Sequence, residues 1–102
     1  MELEKVINIL TRGKQLGKRF DFLVNGKRYW SSVGIQKWNN KYKVYIDEIL
    51  ESKMESEEYS KEKIEEFDDV VTAIRYLSEH SHVNVEYLES CKRQKFFNPK
   101  FN

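Results

Sequence analysis

The sequence predicts a single α+β domain, an antiparallel meander of three to four strands packed with two helices. Three observations predict it. Two Asn-led turn signals separate runs of alternating side chains. The two turns agree on which residues share a face. Helical periodicity flanks the strand region on both sides.

Leu3, Val6, Ile7 and Leu10 recur at helical spacing, so residues 2–11 read as a short amphipathic helix. Gly13 and Gly17 are expected to break the chain after it. The run "RFDFLV" then alternates Phe20, Phe22 and Val24 and enters Asn25-Gly26. Both central positions of a type I′ turn need positive φ, which Asn and Gly tolerate. "KRYWSSVGIQKW" ends on a second such pair, Asn39-Asn40, and "KYKVYIDEI" follows.

A two-residue loop at Asn25-Gly26 sets Val24 opposite Lys27, Phe22 opposite Tyr29 and Phe20 opposite Ser31. The same geometry at Asn39-Asn40 sets Ile35 opposite Val44 and Val33 opposite Ile46. One face then collects Phe20, Phe22, Val24, Tyr29, Val33, Ile35, Tyr42, Val44 and Ile46. A one-residue slip in either turn would scramble that set. The other face collects Arg19, Arg28, Trp30, Trp38, Lys43 and Tyr45, a basic and aromatic mixture.

Residues 51–66 have no clean period and are open to a solvated helix, a loop or an added strand. Beyond them, Asp68 is expected to cap a helix over about residues 69–79, with Val70, Val71, Ile74 and Leu77 along one stripe. Val83, Val85 and Tyr87 alternate as a strand would, or Asn84 caps a brief helical turn. Phe96, Phe97 and Phe101 around Pro99 are expected to pack back on the body, since three such rings are poorly left in water.

Charge is the strongest functional signal. Residues 1–46 carry +7, residues 47–69 carry −8 and residues 70–102 carry +2, within a net charge of +1. Segregation of this kind speaks about partners rather than fold. A charge run usually serves solubility. Here it also offers a field complementary to a basic protein, with Met54 and Tyr59 as apolar anchors inside it. The expected partner-binding residues are Glu51, Glu55, Glu57, Glu58, Tyr59, Glu62, Glu65 and Glu66.

Other chemistries find less support. His80 and His82 form an H-x-H pair without further ligands at zinc spacing. Cys91 sits beside Lys92 and Arg93, which would depress a thiol pKa, but no Cys/His signature surrounds it. Adjacent acids such as Glu65-Glu66 diverge on a helix rather than face a substrate. The expectation is a non-enzymatic protein with no cofactor and no metal. The lone cysteine excludes an internal disulfide and fits a cytoplasmic protein. No apolar run approaches 18 residues, so no membrane span is expected.

The stretch "FDDVVTAIRYLSEHSHVNVEYLESCKRQKFFNPKF", Phe67 to Phe101, resembles the C-terminal half of certain small bacterial immunity proteins. The shared features are a capped helix, a short element after it and a Lys/Arg-bearing run into "FFNP". The resemblance implies a cytoplasmic, non-enzymatic protein that neutralises one cognate toxin, in many cases a nuclease. An acidic protein would do so by occluding the basic site that holds phosphate. The alternative is a small single-stranded nucleic-acid-binding protein that stacks bases on Trp30 and Trp38 of the basic aromatic face. The sequence favours a covered face, since so short a chain has little apolar material to spare.

Overall fold

The computed structural model describes residues 1–91 and 95–100. Its elements run α1 (Leu3–Thr11), β1 (Leu16–Val24), β2 (Lys27–Trp38), β3 (Lys41–Leu50), β4 (Tyr59–Phe67), α2 (Val70–His80) and β5 (Glu89–Ser90). Short 3₁₀ turns lie at Glu51–Lys53 and Val85–Tyr87. The fold is α+β as expected, with all five strands in one antiparallel sheet of order β4-β3-β2-β1-β5. The count exceeds the expected three to four because β4 forms inside the acidic run and β5 adds a two-residue pairing to Leu16 and Gly17.

Both hairpins take the register that their turns dictate. Val24 pairs with Lys27, Phe22 with Tyr29 and Phe20 with Ser31. Val33 pairs with Ile46 and Ile35 with Val44. Asn25, Gly26, Asn39 and Asn40 all have positive φ, as type I′ geometry requires.

The inner sheet face is covered by the helices. Val6 and Leu10 of α1, and Ala73, Ile74 and Leu77 of α2, bury against Val33, Ile35, Tyr42, Val44 and Ile46. Leu16 and Leu88 close the sides of this core. Val24 lies past the helices and is exposed, so the predicted apolar face is longer than the core it serves. The N-cap of α2 is Asp69 rather than Asp68. Asp69 Oδ1 accepts from the Thr72 N–H at 2.8 Å. Asp68 instead forms an ion pair with Lys41. Asn84 takes the capping option, accepting from the Glu86 N–H at 2.9 Å.

Gly17 does not break the chain; it lies inside β1, directly opposite Gly34 of β2. The pair leaves a bare strip on the outer face, and the C-terminal segment fills it. Phe96 packs over Gly17, and Phe97 packs over Gly34. A Cβ on Gly34 would stand 2.6 Å from the Phe97 ring, well inside contact distance. Phe97 also stacks on Tyr45 with centroids 5.6 Å apart. Buried Gln15 clips the segment down. Its Oε1 accepts from the Phe96 N–H at 2.7 Å, while its Nε2 donates to the Phe97 carbonyl at 2.9 Å and to Gln36 Oε1 at 2.8 Å. The tail therefore packs back through Phe96, Phe97 and buried Pro99, while Phe101 lies outside the described residues.

Gly34→Ala is expected to cost about 1–3 kcal/mol by overpacking against Phe97. The cost should fall when Phe97→Ala opens the space, which a double-mutant cycle in urea unfolding measures. An equal cost in both backgrounds would show that Phe97 does not sit on Gly34.

Candidate functional site

The register arranges the outer face in rows that run across the strands. One row is Gly17, Gly34, Tyr45 and Ile64, and the tail phenylalanines occupy its glycine end. The next is polar: Arg19, Ser32, Asp47 and Glu62. The last is Asp21, Trp30, Ile49 and Tyr59. Beside the last two rows, Arg19, Trp30, Ser32, Asp47, Ile49, Met54 and Tyr59 line an open depression of about 190 Å³. Among the described residues, none of the tail lines it.

A β-bulge puts Tyr59 there. Lys61 pairs with Glu48, but the ladder then slips, so that Ile49 faces Tyr59 rather than Ser60. Strict alternation would turn Tyr59 to the helix side with Lys61 and Lys63. The inserted residue re-aims it to the outer face, a common use of bulges. Met54 joins it from the β3–β4 connection, in which Glu57 holds a left-handed φ of 55°. An L-residue pays roughly 1–2 kcal/mol for that conformation.

The polar row is tightly bonded. Asp47 Oδ1 accepts from the Ser32 N–H at 2.7 Å and Oδ2 from the Tyr45 hydroxyl at 2.7 Å. The Tyr45 hydroxyl also lies 3.3 Å from Glu62 Oε2. Burial first, then the hydrogen bond to Asp47 and the charges of Asp47 and Glu62, push the Tyr45 phenol well above its ordinary range. Arg19 Nε donates to Ser32 Oγ at 3.2 Å, which holds that cation to the tail side of the depression. On the far side Trp30 Nε1 donates to Glu51 Oε1 at 3.2 Å. The Tyr59 phenol is also raised, by partial burial first and then by the charges of Asp47, Glu62 and Glu57, with Arg19 opposing.

The structure gathers part of the predicted site and disperses the rest. Glu51 is bonded to Trp30, and the charges of Glu57 and Glu62 act on Tyr59. Glu55 is exposed in the hairpin and has no ion pair among the described residues. Glu58 lies 3.7 Å from Lys53 and accepts from Ser56 Oγ at 2.6 Å. Glu66 is bound 2.9 Å from the buried Lys43. Strand alternation turns Glu65 to the helix side, opposite Val44. Sequence reasoning placed Arg19 on the face of Trp30 but missed Asp47 and Ile49 as neighbours of this site. The hairpin register already aligned all three with Trp30 and Ser32.

Trp30 and Trp38 are separated. Trp38 belongs to a second, larger cleft of about 460 Å³ with Lys95, Phe97, Asn98, Pro99 and Lys100. Lys100 Nζ lies 5.9 Å from the Trp38 ring centroid. His80 Nδ1 meets the Tyr76 carbonyl at 3.0 Å, and His82 lies 3.5 Å from Glu48 while stacking on Phe22. Cys91 Sγ lies 3.3 Å from Gln15 Oε1. Its neighbours Lys92 and Arg93 lie outside the described residues. Among the described residues no three His, Cys, Asp or Glu side chains converge as a metal site needs. No helix among them is long and apolar enough to cross a membrane. No family model, curated protein or solved structure matches the chain.

The Tyr59 phenol is expected to ionise above the ordinary tyrosine value of about 10. Glu62→Gln removes one opposing charge and should move that ionisation down, though not fully, since burial is the larger cause. Ring-carbon NMR of Tyr59 across an alkaline titration reads both values. An ordinary value in the unaltered protein would place Tyr59 away from these carboxylates.

Proposed function

We propose that this chain is a non-enzymatic protein-binding module that docks a basic protein on the open end of its outer sheet face. The observation that carries the reading is the pair Met54 and Tyr59, each 45% exposed, with Glu51 bonded to the neighbouring Trp30 and the charges of Glu57 and Glu62 acting on Tyr59. A thioether and an aromatic ring inside a negative field supply what a hot spot needs, apolar anchors within a charged rim. The rim charges act mainly on encounter rate and orientation, and the anchors on residence time. The resemblance of Phe67–Phe101 to bacterial immunity proteins gives the partner a class, a toxin domain of the producing cell's own system. A nuclease fits best, because its phosphate-binding surface must be basic. Neutralisation would then be occlusion of that surface, in the cytoplasm of the protected cell.

A second reading draws on the cleft of Trp38, Lys95 and Lys100, where an aromatic ring and two cations suit a single nucleic-acid strand. Against it stands the other tryptophan, since Trp30 is bonded to a carboxylate that repels phosphate.

Immunity proteins of the kind this chain resembles are encoded beside their toxins, so the test uses the product of an adjoining toxin-like reading frame as the partner. The combined change Glu51→Lys, Glu55→Lys, Glu57→Lys and Glu62→Lys should weaken binding roughly a hundredfold at low salt and abolish neutralisation. The same change should leave the circular dichroism spectrum in place. Lys95→Ala with Lys100→Ala should leave binding unchanged. Neutralisation that survives the four reversals would overturn the reading. Loss of an oligonucleotide complex in the lysine variants would favour the second one.

A further inference from the structure

We infer that the depression between Trp30, Met54 and Tyr59 is a socket for one arginine side chain of the docking protein. The inference rests on the protein-binding reading above and names the group that the site would receive. Size is the first argument. At about 190 Å³ the depression is smaller than the roughly 300 Å³ at which small-molecule sites begin, and suits a single long side chain.

Wall chemistry is the second. Ile49 forms the floor, with Trp30 and Tyr59 on either side of it in one cross-strand row. Met54 stands above, exposed, and no described segment covers it. Such walls accept the apolar stem of a long side chain and the flat face of a guanidinium. A neutral guest would gain only the stem contact.

Charge is the third. Glu51 is fixed at the Trp30 edge by the 3.2 Å bond from the indole. Glu62 and Glu57 act on the Tyr59 side, as does Asp47. Each Asp47 oxygen already accepts one hydrogen bond, from Ser32 or Tyr45, and keeps a further lone pair. Asp47 in the lining and Glu51, Glu57 and Glu62 around it are therefore all available to a guest. The one cation in the lining, Arg19, is held to the tail side by Ser32. Its presence sets the sign of a test. A cationic guest is opposed by Arg19, and an anionic guest would depend on it. Arginine is favoured over lysine because its planar fork can face an aromatic ring and bind a carboxylate at its edge together.

The probe is the capped amino acid N-acetyl-arginine-N-methylamide, followed by the Trp30 indole N–H and Tyr59 ring resonances. Its neutral isostere, capped citrulline, serves as the control. Arginine should give saturable shifts at Trp30 and none at the Trp38 indole, and citrulline should give none at either. Glu51→Gln and Tyr59→Ala should each weaken arginine by about twofold to fivefold, as the loss of one ion–carboxylate or cation–π contact predicts. Arg19→Gln should tighten it by a similar factor. No saturable shift, equal shifts from citrulline, or weaker binding in Arg19→Gln would each overturn the socket. The two readings fail separately. A basic partner that docks on the acid rim while free arginine leaves Trp30 unmoved sinks the socket alone. Arginine binding without any basic protein partner sinks the docking reading alone.

Discussion

The outer face of this sheet is organised by two glycines that face each other. Gly17 and Gly34 share one cross-strand position, and their missing side chains make room for Phe96 and Phe97. Gln15 then binds the same segment through both its oxygen and its nitrogen. Burying two rings there stabilises the domain by roughly 2–3 kcal/mol per ring if fully covered. The described part of the tail shelters Tyr45 and the strip beside it, and does not line the depression of Trp30, Ile49 and Tyr59.

The charge asymmetry takes on a spatial meaning from the same arrangement. The tail brings Lys95 and Lys100 to the Trp38 end of the outer face. The β3–β4 hairpin brings Glu51, Glu57 and Glu62 to the Trp30 end. A sheet only a few strands wide thereby presents a positive end and a negative end on one surface. Part of the acidic run is spent internally, on Lys43, Lys53 and Lys41. Of the acids outside those ion pairs, Glu51, Glu57 and Glu62 lie near exposed apolar side chains, where a charged rim can act on a partner.

Much of this was legible in the sequence, for local reasons. Asn25-Gly26 and Asn39-Asn40 set two registers, and those registers set the core face and the first three strands' share of each outer row. The Gly17–Gly34 pairing follows from the first hairpin alone, although Gly17 reads locally as a break. The fourth strand was not legible. Its residues alternate too weakly to choose a face, and the bulge beside Ile49 depends on the partner strand rather than on local sequence. That bulge is why Tyr59 joins the site, while plain alternation along β4 sets Glu62 and Glu65 on opposite faces. The helix cap moved by one residue because Asp68 and Asp69 are equally good caps, and Lys41, remote in sequence, takes the first.

We propose that partners meet this protein on the negative end of the outer face, around Trp30 and Tyr59. Amide hydrogen exchange, with and without the product of an adjoining toxin-like reading frame, tests it most directly. Slowed exchange should concentrate over Trp30–Ser32 and Ile49–Glu62, while Phe96–Lys100 exchanges as before. Protection confined to the Trp38 and Lys100 end, with the hairpin unchanged, would contradict it.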